Sequence, residues 1–187
     1  MSTERVAAII LVVGTVLFLI AAFVPVSQVF AEPSPPAKLE IIDSNPTAWS
    51  TAQVLFGLGG SITAIGLGFV SYHLRDTPGA VWAYIGFVVV ILGAAFWEGH
   101  VYLRAIDPEG FVEDRLIGWL FPAYALLTQA GLIAFGVAYL RAGYPAWLGG
   151  VTLGGAVIFF IVFFVFKDIP PLLYYILTFV AGVRLMR

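Results

Sequence analysis

Long apolar stretches alternate with short polar segments along the whole chain. Each apolar stretch approaches or exceeds the roughly 20 residues that a helix needs to cross a bilayer. The pattern predicts six transmembrane helices, at about residues 6–24, 49–74, 81–104, 117–140, 146–166 and 169–185. The connecting segments are too short to separate domains. We therefore expect an all-α integral membrane protein, in which residues 1–187 form one bundle of six transmembrane helices with short loops.

Composition supports a membrane protein and excludes several kinds of chemistry. Hydrophobic residues make up 61% of the chain and charged residues only 11%, whereas a soluble domain is typically about 25% charged. A net charge of -2 gives no reason to expect a nucleic-acid partner. The chain has no cysteine, so disulfides, thiolate catalysis and cysteine-held iron–sulfur or zinc sites are excluded.

The first apolar stretch is interpreted as a retained helix, because it is longer than the roughly 7–15 apolar residues of a signal peptide. Loop charge sets the expected orientation, since basic residues favour the cytoplasmic side. The side of the first residue carries five basic residues, Arg5, Arg75, Arg141, Arg184 and Arg187. The other side carries four, Lys38, Arg104, Arg115 and Lys167, so the basic residues alone decide little. Most acidic residues lie on the other side. We expect both termini in the cytoplasm and the chain in the cell membrane.

Glu98 is the acidic residue that lies inside an apolar stretch, near the end of the third predicted helix. At 1.5 Å per residue it lies about 9 Å inside that end. A carboxylate in the membrane is costly unless it faces protein or water, so it is a candidate functional group. The alternative interpretation is an interfacial acid that reaches headgroup water.

His100 follows two residues later, and two helical steps turn the side chain by about 200°. Glu98 and His100 should therefore point to nearly opposite sides and form no acid–base pair. The spacing places Trp97, His100 and Arg104 on one stripe instead. The alternative for His100 is an interfacial imidazole bonded to a loop. His73 lies at the opposite membrane face, so we expect no conventional metal site, and the sequence leaves any cofactor unknown.

Three further polar residues lie inside predicted helices at similar or greater depth. The tentative ligand-binding set is Gln53, Glu98, His100, Tyr124 and Gln129. One interpretation is a polar pocket, with Lys167 as a further candidate, that opens to the outer side. The other is ordinary hydrogen bonding between helices. We expect Glu98 to point between helices and to meet Gln53, Tyr124 or Tyr102; no catalytic residue is predicted.

Small residues recur every four positions in the second, fourth and fifth predicted helices, which lets helices approach closely. The stripes are Gly60-Ala64-Gly68, Ala130-Ala134-Ala138 and Ala146-Gly150-Gly154. The preferred function is a non-catalytic membrane module that binds an apolar ligand, a lipid or a partner membrane protein, and that can form a homo-oligomer. The first alternative is a small transporter or channel with an outward-facing polar cavity around Glu98. The lesser alternative is a membrane enzyme acting on lipid headgroups.

Overall fold

The computed structural model describes residues 2–166 and 171–186. Within these residues the chain is helical and contains no β-strand. The α-helices are α1 (Thr3–Phe23), α2 (Pro35–Ser44), α3 (Pro46–His73), α4 (Ala80–Ile106), α5 (Pro108–Val112), α6 (Leu120–Arg141), α7 (Ala146–Phe166) and α8 (Leu172–Leu185). A 3-10 helix, Pro25–Phe30, follows α1.

Five of these helices, α1, α3, α4, α6 and α7, are long and apolar enough to cross a membrane. Such helices are typical of an integral membrane protein, and all five were predicted from the apolar stretches. α8 has 14 residues, which at 1.5 Å per residue span only about 21 Å. The beginning of the sixth predicted helix, residues 169–170, lies outside the described residues.

The five long helices and α8 form a closed ring. α1 packs against α3, α3 against α4, α4 against α6, α6 against α7, α7 against α8, and α8 against α1. α1 and α8 are antiparallel, because Thr15 of α1 donates a hydrogen bond to the carbonyl of Tyr175 (3.3 Å), while Gly182, one turn before the end of α8, lies against Ala8. The start of α1 and the end of α8 therefore lie at the same end of the ring.

Small residues allow the close helix contacts, although not always where the stripes predicted them. On α3, Gly60 faces Trp97 and Gly68 faces Phe87 of α4, as the predicted stripe requires. The stripe on α7 differs, because nothing lies within 4 Å of a Cβ built on Gly150 or Gly154. The close contact of α7 is made by Gly149, which lies against Leu140 and Gly136 of α6. Gly150 of the predicted stripe is exposed.

One end of the ring is covered by three short helical segments that the sequence analysis assigned to loops. The 3-10 helix, α2 and α5 contact one another and the ends of α3 and α4; we call them the cap. α2 begins at a proline after Ser34, and α5 begins at Pro108, with Asp107 accepting a hydrogen bond from the Gly110 amide (2.8 Å). Proline in the first turn and an N-capping acid both favour a helix start.

The other end of the ring has no such covering. It holds the start of α1, the end of α8 and the tight turns at residues 74–79 and 142–145. We call the two ends the cap end and the turn end.

Candidate ligand-binding cavity

A cavity of about 780 Å³ lies beneath the cap, inside the ring of helices. Its walls are mostly aromatic, and they include Phe18, Phe30, Phe56, Trp97, Phe111 and Phe121. Its polar lining residues are Ser27, His100, Arg104 and Asp114. Ser27 already donates a hydrogen bond to the carbonyl of Ala21 (2.6 Å). His100, Arg104 and Asp114 are therefore the groups that can meet a ligand.

Arg104 lies in the last turn of α4 and is only 4% exposed. Its guanidinium carbon lies 4.5 Å from the ring centre of Phe30 and 5.1 Å from that of Phe111, both in the cap. The rings of Trp49 and Phe56, on α3, each lie 5.6 Å away. A cation over aromatic faces is stabilised by about 0.5–2 kcal/mol. The folded cap thus encloses a cation that the helix end alone would leave in water.

The Arg104 guanidinium has no carboxylate partner among the described residues. Its Nε and Nη2 atoms are buried without a hydrogen bond, and the ion pairs found in this part of the chain are Arg75–Asp76 and Arg115–Glu113. A buried charge without a counterion costs several kcal/mol. Cation–π contacts offset only part of that cost. An anionic group in the cavity that pairs with Arg104 would therefore stabilise this end of the protein.

His100 lies one turn before Arg104 on the same face of α4. Its ring packs between those of Trp97 (6.0 Å between centres) and Phe121 (5.7 Å). Its Nδ1 atom is buried and forms no hydrogen bond to the described residues, so no bond to a loop is seen there. The predicted stripe of Trp97, His100 and Arg104 is confirmed, because all three line the cavity.

Trp97 forms the inner wall of the cavity and is 1% exposed. Its indole N–H donates to the carbonyl of Phe56 (2.9 Å), which fixes α4 against α3. Gly60 leaves room for this ring, because an added Cβ would lie 2.6 Å from it. Tyr124 of α6 packs behind Trp97 with ring centres 4.7 Å apart, and its buried hydroxyl has no partner among the described residues.

Glu98 faces away from this cavity, as the helical spacing predicted relative to His100. It lies at one end of a separate, largely apolar groove of about 660 Å³ between α3 and α4. Its Oε1 atom accepts a hydrogen bond from Ser61 (2.7 Å). Glu98 thus points between α3 and α4, as predicted, but its hydrogen-bond partner among the described residues is Ser61 and not Gln53, Tyr124 or Tyr102. Gly57 and Ser61, one turn apart on α3, leave space for the carboxylate and supply the donor.

The remaining predicted residues are buried elsewhere. Gln53 is 2% exposed and Gln129 is 3% exposed, and neither lines the cavity. Both amide atoms of Gln53, and Oε1 of Gln129, lack hydrogen-bond partners among the described residues. The five tentative residues therefore do not surround one pocket: His100 lines the cavity, Tyr124 backs it, and Glu98 lines the groove. Lys167 lies outside the described residues.

The helical spacing grouped Arg104 with Trp97 and His100, but it did not predict that the charge would be buried. Arg104 is a site residue because Phe30 and Phe111, which are distant in sequence, fold over it. The one sequence feature that pointed to this site was the stripe on α4, which places Arg104 one turn beyond His100 and two turns beyond Trp97.

No known family model, curated protein sequence or solved structure matches this chain. Any inference about function therefore rests on the residues of the chain itself.

Proposed function

We propose that this chain is a non-catalytic protein of the cell membrane that holds an amphiphilic ligand in the cap cavity. The observation that carries the proposal is a cavity of about 780 Å³ that combines aromatic walls with His100 and the unpaired Arg104. Small-molecule sites typically have about 300–1,000 Å³, mostly apolar walls and a few convergent polar groups. The cavity has all three properties.

The proposal includes six membrane spans with both termini in the cytoplasm, which places the cap on the outer side. The antiparallel packing of α1 and α8 supports it, because an even number of spans returns the chain to its starting side. The exposed Arg75 and Arg141 lie at the turn end, where basic residues favour the cytoplasm. A reporter fused after Arg187 should be active in the cytoplasm, and one inserted within residues 31–34 should not. The opposite pattern would overturn the orientation.

A binding role fits the geometry better than the alternatives do. A transporter organised around Glu98 would place that carboxylate in a polar cavity, but Glu98 lines an apolar groove and is bonded to Ser61. An enzyme acting on lipid headgroups would need a nucleophile or base poised beside its substrate, and His100 lies between two aromatic rings. The transporter and the lipid-headgroup enzyme therefore stay predictions, and no contact among the residues of the cap cavity supports either of them.

Native mass spectrometry in a gentle detergent tests the binding role. The wild-type protein should retain one bound lipid-like molecule per chain. Ala22→Phe adds a ring inside the cavity, which Ala22 lines, and it should remove that molecule. Ala130→Phe makes the same change on the exposed surface of α6 and should leave it bound. A wild-type protein without adduct, or equal retention in both variants, would overturn the proposal.

A further inference from the structure

We infer that the cap cavity selects an amphiphile with an anionic head, a carboxylate or a phosphate, and that Arg104 binds that head. The inference rests on the proposed ligand-binding function and adds the chemical class of the ligand. It depends on the position of Arg104, which is the one strongly basic side chain among the described residues that line the cavity.

The first step concerns charge. Arg104 is 4% exposed, lines the cavity, and has two nitrogen atoms without a hydrogen-bond partner in the described part of the chain. The surrounding rings face the cation but cannot accept in-plane hydrogen bonds from it. A planar guanidinium presents a fork of N–H donors that matches the two oxygens of a carboxylate or phosphate. An oxyanion therefore satisfies both the charge and the unused donors.

The second step concerns the neighbouring polar groups. His100 lies one turn deeper on α4, and its unpartnered Nδ1 can donate a second hydrogen bond when it carries the hydrogen. Asp114 also lines the cavity, but it is exposed and forms no ion pair with Arg104. Its carboxylate disfavours an anion at the entrance. The anionic head should consequently lie inside, against Arg104.

The third step concerns the rest of the ligand. Phe18, Trp97 and Leu172 continue the lining with apolar surface. A small inorganic anion would leave this surface facing water, whereas an alkyl or acyl chain would cover it. Burial of apolar ligand surface is favourable in proportion to its area, so the walls favour an anion that carries an apolar tail.

Matched pairs of ligands test the inference on the delipidated full-length protein. Hexadecanoate is compared with hexadecan-1-ol, and phosphatidate with diacylglycerol, so that each pair differs in the anionic head. Inorganic phosphate is added as a competitor. Dissociation constants are measured by native mass spectrometry in a neutral detergent. The wild-type protein should bind one anionic member at least about tenfold more tightly than its neutral partner, because charge-assisted hydrogen bonds to the Arg104 guanidinium are stronger than neutral ones. The pair that shows the preference identifies carboxylate or phosphate as the head.

Variants locate the selectivity. Arg104→Gln should reduce the preference to near unity, while Arg141→Gln, the same change at the exposed turn end, should leave it intact. If Arg104→Gln does not fold, Arg104→Lys and His100→Phe take its place, since they keep the charge and the ring packing respectively. Each should lower the preference a few-fold. A preference unchanged in every folded Arg104 and His100 variant would overturn the inference.

Two results separate this inference from the proposed function. Equal binding of charged and neutral members, blocked by Ala22→Phe, would overturn the anion selectivity and leave a ligand-binding cavity. Absence of binding by all four ligands would count against both. Displacement of the anionic ligand by phosphate at equal concentration would show that the tail contributes nothing, and would overturn the choice of an amphiphile.

Discussion

The two ends of the helix ring differ in how their polar side chains are hydrogen-bonded. At the turn end, the Tyr144 hydroxyl donates to Glu4 (3.1 Å), and Nε2 of His73 lies 3.0 Å from the same hydroxyl. Because the hydroxyl has one hydrogen, His73 must donate through Nε2 if Tyr144 donates to Glu4. Ser71 similarly donates to the carbonyl of Ala83 (2.7 Å). These bonds join α1, α3, α4 and the turn before α7.

At the cap end, Arg104 and Nδ1 of His100 are buried beside the cavity and have no hydrogen-bond partner among the described residues. The half of the ring toward the turn end also has such groups, the Tyr139 and Thr152 hydroxyls, but both are neutral and neither lines a described cavity. Buried polar groups are normally hydrogen-bonded. Under the proposed binding function, the protein itself supplies the hydrogen-bond partners at the turn end, and a bound ligand supplies those of Arg104 and His100 at the cap end.

The largest effect is expected at the inner wall of the cavity. Trp97→Ala removes a fully buried ring together with its hydrogen bond to Phe56, and should cost about 3–5 kcal/mol of unfolding free energy. Trp147→Ala removes the same side chain from a half-exposed position and should cost far less. Equilibrium unfolding in mixed detergent measures both. A Trp97→Ala loss below about 1 kcal/mol would show that the cap end is loosely packed.

The turn end is tested by Gly79→Ala. An added Cβ would collide with the backbone carbonyl of Ala138, which cannot move as a side-chain tip can. We expect a loss of about 1–3 kcal/mol from overpacking. Gly150→Ala, where nothing lies within 4 Å, should be neutral or stabilising by up to about 1 kcal/mol. Equal effects in the two variants would contradict the close packing of the turn end.

Glu98 lies toward the cap end but outside the cavity, and its hydrogen bond to Ser61 predicts an ordinary structural role. Glu98→Gln should keep that bond and the fold. Glu98→Leu should leave Ser61 unpaired and cost about 1 kcal/mol. A double-mutant cycle with Ser61→Ala should give a coupling of similar size. If Glu98→Leu abolished ligand binding while leaving stability unchanged, the separation between groove and cavity would be wrong.

A smaller, pH-dependent effect is expected from Tyr144. Burial, and then the neighbouring Glu4 carboxylate, raise the pKa of its hydroxyl above the ordinary value, which is about 10. A raised folded-state pKa stabilises the protein below the unfolded-state pKa, and that contribution is lost as the pH rises above about 10. Tyr144→Phe should cost up to about 1 kcal/mol at pH 7.

The stability difference between wild type and Tyr144→Phe should shrink at alkaline pH. Tyr84→Phe, on an exposed face of α4, provides the control and should show no such trend. A difference that stays constant from pH 7 to above about pH 10 would contradict the role of the Tyr144 hydrogen bonds.

The lengths of the apolar stretches predicted much of the helical framework, because a membrane-spanning helix is recognised from its own composition. The spacing on α4 likewise predicted that Trp97, His100 and Arg104 share a face and that Glu98 does not. The predicted helix positions are close to those of α1, α3, α4, α6 and α7. The short helices α2 and α5 were missed because their polar residues resemble those of loops.

The site was harder to predict because it depends on contacts between distant segments. The position along the predicted helix put Arg104 at its end and Glu98 about 9 Å inside it. In the structure Arg104 is nevertheless the more buried of the two side chains, because Phe30 and Phe111 of the cap cover it, while Glu98 is only half-buried. The hydrogen bond between Ser61 and Glu98 could not be predicted either, because no local sequence pattern shows which face of α3 meets which face of α4.

An electron cryo-microscopy structure of the protein in nanodiscs made from its native membrane would show directly whether the cap cavity holds an anionic amphiphile. We expect non-protein density in the cap cavity, with an oxyanion within hydrogen-bond distance of the Arg104 guanidinium and a tail against Trp97. A cavity that is collapsed or empty, with Arg104 paired to a carboxylate of the protein itself, would contradict it.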